Sequence, residues 1–104
     1  DTREQTISIL YDIKTADNSL LSGVDNLTIT ASGDVLVAED GGDMQLVLLT
    51  ASGSVIPVMQ VVGQDFSEIC GPAFSPDFQR LYFSSQTGPN DRDEEGIIYE
   101  VSKL

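Results

Sequence analysis

Apolar and polar positions alternate along this chain in short runs, a pattern that is typical of β-strands. The clearest example lies in residues 24–43, where Val24, Leu27 and Ile29 mark one strand. A Ser-Gly-Asp turn then leads into a continuous apolar run, residues 35–38. Because alternation passes into a run that is apolar throughout, we expect a hairpin whose second strand is buried on both faces.

Further runs of this kind extend over the rest of the chain. Pro57 indicates that its strand lies at a sheet edge, because proline cannot donate to a neighbour on both sides. No segment of ten or more residues has helical periodicity with caps, so the sequence predicts an all-β fold. The other predicted strands are residues 7–13, 44–50, 54–62, 72–75, 80–84 and 97–102.

Internal repetition indicates the architecture. The turn sequence Thr-Ala-Ser-Gly at residues 30–33 recurs at residues 50–53, and a Ser-Pro-Asp turn begins at Ser75, forty-five residues after Thr30. A period of ~44 residues with four short strands is typical of propeller blades. We therefore predict an all-β partial β-propeller of about two and a half four-stranded antiparallel blades, forming a single domain over residues 1–104.

Charge narrows the range of partners. The chain has 5 Lys plus Arg against 17 Asp plus Glu, a net charge of -12, and no histidine. Such a surface repels nucleic acid and anionic lipid, so we expect no nucleic acid and no membrane partner. No run of about 18 apolar residues is present to span a membrane. Without histidine, this chain cannot build a His-based triad or a His-ligated zinc site.

Polar side chains lie where the two strands of the first hairpin begin and end. Asp25 and Asn26 open the first strand, while Glu39, Asp40 and Asp43 follow the second. Strand pairing would bring these groups to one end of the sheet, and calcium prefers carboxylate and amide oxygens of this kind. As a structural alternative, Asp25 and Asn26 form hydrogen bonds with backbone amides at the start of the strand. Likewise, Glu39, Asp40 and Asp43 could belong to a turn that is exposed to solvent.

Two residues before the next inner strand are weaker candidates for a ligand. Glu68 and Cys70 precede that strand, and Cys70 occupies the repeat position of Asp25. A ligand role and a small buried thiol that fills space are both compatible with this position.

Three stretches, VDNLTITASGDVLVAEDGG, EICGPAFSPDFQRLYFSSQ and GIIYEVSK, resemble the C-terminal blades of the PhoX-type alkaline phosphatases, bacterial enzymes built on a β-propeller. The resemblance covers about residues 20–104. It implies a periplasmic or secreted, metal-dependent phosphomonoesterase with calcium, or calcium together with iron, at the propeller centre. On this interpretation Asp25, Asn26, Glu39 and Asp40 are the expected metal ligands, and Asn26 is the candidate catalytic residue.

The resemblance also implies that most metal ligands lie in blades that this chain lacks. The isolated chain is therefore predicted to be inactive, and its expected partners are the remaining blades or identical copies. Partial blades have open strand edges and uncovered apolar faces, and both favour association with such partners. The chain is therefore expected to be the C-terminal fragment of a larger propeller. The alternatives are a non-catalytic, calcium-stabilised propeller fragment that mediates protein binding or assembly, and a purely structural portion.

Overall fold

A computed structural model gives the fold of residues 3–16, 20–39 and 43–103. The described residues form two antiparallel β-sheets and no α-helix; a short 3-10 helix lies at Gly88–Asn90. The all-β prediction is therefore confirmed. Sheet A consists of β1 (Val24–Ile29), β2 (Val35–Glu39), β3 (Gln45–Leu49) and β4 (Val55–Gln60), and sheet B consists of β5 (Ile69–Phe74), β6 (Arg80–Ser85) and β7 (Ile97–Ser102), each in sequential order.

The repeated turn sequence closes two equivalent hairpins of sheet A. In the β1–β2 turn, the Asp34 amide donates to Thr30 Oγ1 at 3.1 Å, and in the β3–β4 turn the Ser54 amide donates to Thr50 Oγ1 at 3.0 Å. Gly33 has a positive φ of 89° in the first turn, a backbone conformation that glycine adopts without steric cost. The sequence repeat is thus a repeat of structure.

A different turn joins β5 to β6. The Ser75 hydroxyl donates to Asp77 Oδ1 at 2.6 Å, and the Gln79 amide donates to the same oxygen at 3.1 Å. These bonds favour the ionised carboxylate and hold the pKa of Asp77 below its ordinary value, with the Ser75 hydroxyl as the main cause.

This lowered pKa predicts part of the acid sensitivity of the fold. Asp77 contributes stability above its unfolded pKa of 3.8 and loses that stability as the pH falls through the lower folded value. In an Asp77→Asn variant, we expect the melting temperature to fall less between pH 5 and the acid range below 3.8 than in the unchanged chain. Asp93→Asn, in the exposed loop before β7, is the control. An unchanged acid dependence in Asp77→Asn would contradict the prediction.

The two central strands of sheet A, β2 and β3, are buried on both faces. The inter-sheet layer lies between sheets A and B, and the outer layer lies between sheet A and the N-terminal segment. β3 carries one fully buried residue for each layer, Leu46 and Val47, each with 0% exposure. This burial explains the continuous apolar runs of β2 and β3. The inter-sheet layer contains Leu36, Ala38, Met44, Leu46, Ile69 and Phe83; the outer layer contains Leu21, Val37, Val47 and Leu49.

The predicted strand at residues 7–13 is wrong, and so is the additional partial blade that it implied. Ile7 is 99% exposed and Ile9 is 81% exposed, and no strand forms in this segment. High β-propensity does not produce a strand where the segment has no neighbouring strand to pair with. Farther along, Tyr11 packs against the outer layer, and its hydroxyl donates to the Leu21 carbonyl at 3.0 Å.

The remaining strands follow the sequence closely. β7 has the predicted bounds, and β4, which contains Pro57, is an edge strand as expected. β5 begins at Ile69, three residues earlier than predicted, because the Gly-Pro pair is accommodated in a bulge instead of ending the strand.

Candidate functional site

The first hairpin brings the start of β1 and the end of β2 to the same end of sheet A. Val24 pairs with Glu39, and Asn26 pairs with Ala38. The structure therefore places the polar residues that open β1 beside the carboxylate that ends β2, as expected from antiparallel pairing.

A β-bulge occurs at this end of β1. The register shifts between Val24 and Asn26, so Asp25 is the additional residue. The equivalent strand of sheet B, β5, has a register shift between Cys70 and Ala73. Bulges turn side chains away from the regular alternation and are frequent next to functional sites. The first strand of each sheet thus has a register shift near its beginning.

The side chain of Asn26 uses both ends of its amide. Its Nδ2 donates to Asp25 Oδ2 at 2.9 Å, and its Oδ1 accepts the Gly71 backbone amide at 3.3 Å. Asp25 is exposed, whereas Asn26 is half-buried. The amide therefore links the Asp25 carboxylate to the bulge of the second sheet.

Glu39 is buried, with 4% exposure, and holds the chain that enters β1. Its Oε1 accepts the Ser22 amide at 2.9 Å, the Ser22 hydroxyl at 3.0 Å and the Gly23 amide at 2.9 Å. Hydrogen bonds to an ionised carboxylate are stronger than those between neutral groups, so these three bonds hold Ser22 and Gly23 firmly. These contacts give Glu39 a structural role at the entry to β1.

Asn26 and Glu39 lie on opposite faces of sheet A. Cross-strand partners share a face, so Asn26 lies on the side of Ala38, in the inter-sheet layer. Glu39 follows Ala38 directly and therefore lies on the other side, with Val37 of the outer layer. The two groups meet at one end of the sheet but do not converge on one point.

One residue of this region was missed by sequence reasoning. Glu39 Oε2 and Gln45 Oε1 are buried and have no hydrogen-bond partner among the described residues. One further step in the β2–β3 register places Gln45 opposite Glu39 on the same face. The signal in the sequence was a polar residue at the start of an otherwise apolar strand.

The other predicted ligands do not add to a cluster. Asp40 lies outside the described residues, and Asp43 is exposed, with its backbone carbonyl accepting the Gln60 side chain at 2.9 Å. The backbone carbonyl of Glu68 accepts the Gln86 amide at 3.0 Å, and the side chain of Cys70 is half-buried. Within residues 3–16, 20–39 and 43–103, no group of three or more His, Cys, Asp or Glu could hold a metal.

The described side chains could therefore supply some of the ligands of a calcium site but not all of them. Calcium takes six to eight oxygen ligands, and among the predicted ligands that the structure describes only Asp25 has an exposed carboxylate next to a second sheet. The remaining oxygens would have to come from water or from other parts of a larger assembly.

A cavity of about 590 Å³ lies elsewhere in the structure. It is lined by residues 9–12, Thr15 and Ala16 and by Ser52, Gly53 and Val55 near the β3–β4 turn. Neither Asp25 nor Glu39 lines it, so this cavity is separate from the candidate site.

In the described part of the chain, no helix has the length and apolar character needed to cross a membrane.

Comparison with known protein families gives one match. The family model described as alkaline phosphatase PhoX matches residues 2–89, which is more than half of the chain. No curated protein and no solved structure matches. The match includes both hairpins of sheet A and the β5–β6 hairpin, and with them Asp25, Asn26 and Glu39. The chain therefore belongs to the PhoX alkaline phosphatase family.

Proposed function

We propose that this chain is part of a PhoX-like phosphomonoesterase and that it contributes ligands to a central calcium or calcium–iron site. The observation that carries the proposal is the family match over residues 2–89. The family match also supports the periplasm or the extracellular space as the location of this chain.

Three features of the fold support a propeller as the architecture. Sheets A and B follow one another along the chain, pack face to face through the inter-sheet layer, and place β1 next to β5. Successive propeller blades pack in this way around a central channel. In that arrangement β1 and β5 are the inner strands, and Asp25 lies at the channel end of its sheet.

The chemistry that such metals supply, when bound, is to neutralise and orient the phosphate group and to activate its attacker. The residues of this chain would bind and orient. Asp25 would provide a carboxylate, Asn26 would hold that carboxylate in place, and Glu39 would fix the entry to β1. The net charge of -12 would repel a phosphate ester unless cations reversed the local field.

The second candidate function is a non-catalytic, calcium-stabilised fragment that mediates assembly. It is favoured by large apolar side chains that face solvent, including Phe66 with 86% exposure and Ile98 with 81% exposure. Exposed apolar groups are frequent at protein–protein contacts. The partners that we propose are the remaining blades of a larger propeller or identical copies of this chain.

Calcium should raise the melting temperature of the chain, because a ligand that binds only the folded state stabilises it by mass action. At ten times the dissociation constant the gain is about 1.4 kcal/mol. A domain of this size shifts by roughly 4–8 °C per kcal/mol, so the melting temperature should rise by roughly 6–11 °C. The measurement is a thermal melt with calcium, with magnesium and with chelator.

Two variants make this test specific. Asp25→Ala should remove the calcium effect, whereas Asp65→Ala, which removes an exposed carboxylate of the loop before β5, should keep it. Identical melts of the unchanged chain with calcium and with chelator would contradict the proposed cation site in this chain.

A further inference from the structure

Sheet B has three strands where sheet A has four, and β7 lies at its open edge. Among the described residues, β7 pairs only with β6. The opposite side of β7 therefore presents backbone N–H and C=O groups that another strand can pair with. Most residues of β7 are exposed, so this edge is accessible.

The position beside β7, where a fourth strand of sheet B would lie, is bordered by apolar side chains. Val101 shares a face with Leu81, which packs in the inter-sheet layer, yet Val101 is 39% exposed. Ile56 of β4 shares a face with Leu48 and is 46% exposed. Because β1 lies next to β5 and both sheets are in sequential order, β4 has no strand of sheet B opposite it in the described fold. An added strand would cover both side chains.

Residues 7–10 have the composition of a strand, but no strand forms within residues 3–16. Ile7 is 99% exposed and Ile9 is 81% exposed. β-branched residues favour a strand when neighbouring strands supply contacts for them, and this segment has no such neighbour. Tyr11, directly after the segment, is held by its bond to the Leu21 carbonyl at 3.0 Å. The segment therefore extends from a fixed point.

The segment and β7 match in one antiparallel register, in which apolar side chains meet apolar ones and the two polar side chains meet each other. A shift by two residues, which preserves the faces, instead pairs Leu10 with Glu100 or Ser8 with Ile98. Cross-strand pairs of matched character stabilise a sheet. The four pairs of the matching register are Ile7–Val101, Ser8–Glu100, Ile9–Tyr99 and Leu10–Ile98.

Sheet A separates the segment from β7 of the same chain. Ile9 and Leu10 border a cavity together with Val37 and Leu49, which belong to the outer layer. Sheet B lies on the other side of sheet A, across the inter-sheet layer. With Tyr11 bound where it is, residues 7–10 therefore point to the β7 edge of a different molecule.

We infer that residues 7–10 of one copy pair with β7 of a second copy and complete sheet B as its fourth strand. The inference rests on the second candidate function, assembly, and specifies the contact; it does not depend on a bound cation. Addition of a strand to an open sheet edge is a general mode of protein recognition. Since the segment and β7 lie on different surfaces of the chain, the contact is heterologous, and copies form a ring or an open series.

Sedimentation velocity of the 104-residue chain over a range of concentrations tests the association. The mass should rise from 11.2 kDa to at least twice that value. Ile9→Lys should remain at 11.2 kDa, because it places a charge opposite Tyr99 on the apolar face. The matched control is Phe66→Lys, which changes a side chain of similar exposure, 86%, in the loop before β5 at the other edge of sheet B. This control should associate as the unchanged chain does.

Three results of this experiment would overturn the inference. A chain that stays at 11.2 kDa at every concentration has no such contact, and assembly of identical copies fails with it. Equal losses in Ile9→Lys and Phe66→Lys would show a general effect of added charge. Association that persists in Ile9→Lys would leave assembly in place but exclude this strand as its cause, so the two failures are distinguishable.

Cross-linking tests the register and the source of the strand. Two variant chains, both with Cys70→Ser and one labelled with heavy nitrogen, are mixed, oxidised and analysed by mass spectrometry. Leu10→Cys with Ile98→Cys should give the mixed dimer, whereas Ser8→Cys with Ile98→Cys should give much less. Directly opposite side chains are about 5 Å apart and diagonal ones about 7–8 Å, and a disulfide requires close Cβ atoms.

Equal yields from the two mixtures would overturn the register. A disulfide within a single chain that carries both Leu10→Cys and Ile98→Cys would show that the strand comes from the same chain, and would overturn the role of a second copy. The sedimentation experiment uses no cysteine change, so it decides the inference even where Cys70→Ser does not fold.

Discussion

Replacement of Phe83 by alanine should destabilise the chain by about 3–5 kcal/mol, the usual cost of removing a buried aromatic ring. Phe83 is only 3% exposed, lies in the inter-sheet layer and stacks on Tyr99 with ring centroids 5.3 Å apart. Small domains are stable by about 5–15 kcal/mol, so this change would remove a large part of the total. Urea unfolding followed by circular dichroism measures the effect.

The matched control is Ile98→Ala. Ile98 lies in β7 next to Tyr99, on the opposite face of sheet B, and is 81% exposed. A surface change of this kind is expected to alter stability by about 0.5 kcal/mol or less. Equal losses from Phe83→Ala and Ile98→Ala would mean that the two sheets do not pack through the inter-sheet layer.

The second large effect is expected at Glu39. Glu39→Ala removes the acceptor of three hydrogen bonds from Ser22 and Gly23, and each buried donor left without a partner costs about 1–3 kcal/mol. Because Ser22 is exposed and can bond to water, we expect a total loss of about 2–4 kcal/mol. The free energy of unfolding, measured by urea denaturation, gives the result.

Glu39→Gln separates this structural role from a role in cation binding. The amide oxygen can still accept the Ser22 and Gly23 bonds, and the new NH₂ group can donate to Gln45 Oε1, so we expect a loss of about 1 kcal/mol. A near-normal metal-free stability combined with a lost calcium effect would instead support the sequence-based prediction that Glu39 is a ligand. A Glu39→Ala variant as stable as the unchanged chain would contradict the structural role.

Most of the strand architecture could be predicted from the sequence, because short-range patterns determine it. The repeated Thr-Ala-Ser-Gly turns mark both hairpins of sheet A, and the bounds of β7 follow from its apolar run. The strand expected at residues 7–13 shows the limit of such reasoning. Composition can indicate that a segment is suited to a sheet, but it does not tell whether an adjacent strand is present to pair with it.

The sequence predicts at which end of the sheet the candidate residues lie, but not on which face of the sheet each side chain lies. Antiparallel pairing alone brings Asp25 and Glu39 to one end of the first hairpin. The bulge between Val24 and Asn26 then changes which side chains share a face, since one added residue reverses the alternation. A signal was present: Val24 and Leu27 are three residues apart, whereas regular alternation would separate residues of one face by an even number.

The interactions of Asn26 and Gln45 could not be read from the sequence. The Gly71 amide is forty-five residues from the Asn26 side chain that accepts it, and only the packing of the two sheets brings them together. For Gln45, the relevant neighbour is across the β2–β3 pairing, and its register depends on the length of the connection.

The sequential order of the strands has a consequence for synthesis on the ribosome. Sheet A needs only residues up to Gln60, whereas two residues of the inter-sheet layer, Ile69 and Phe83, come from sheet B. Chains emerge at about 5–20 residues per second, so sheet A can form some seconds before β6 is available. During that interval sheet B is not yet present to pack against Leu36, Met44 and Leu46. A nascent chain that pauses there would present an apolar surface to chaperones and to other nascent chains.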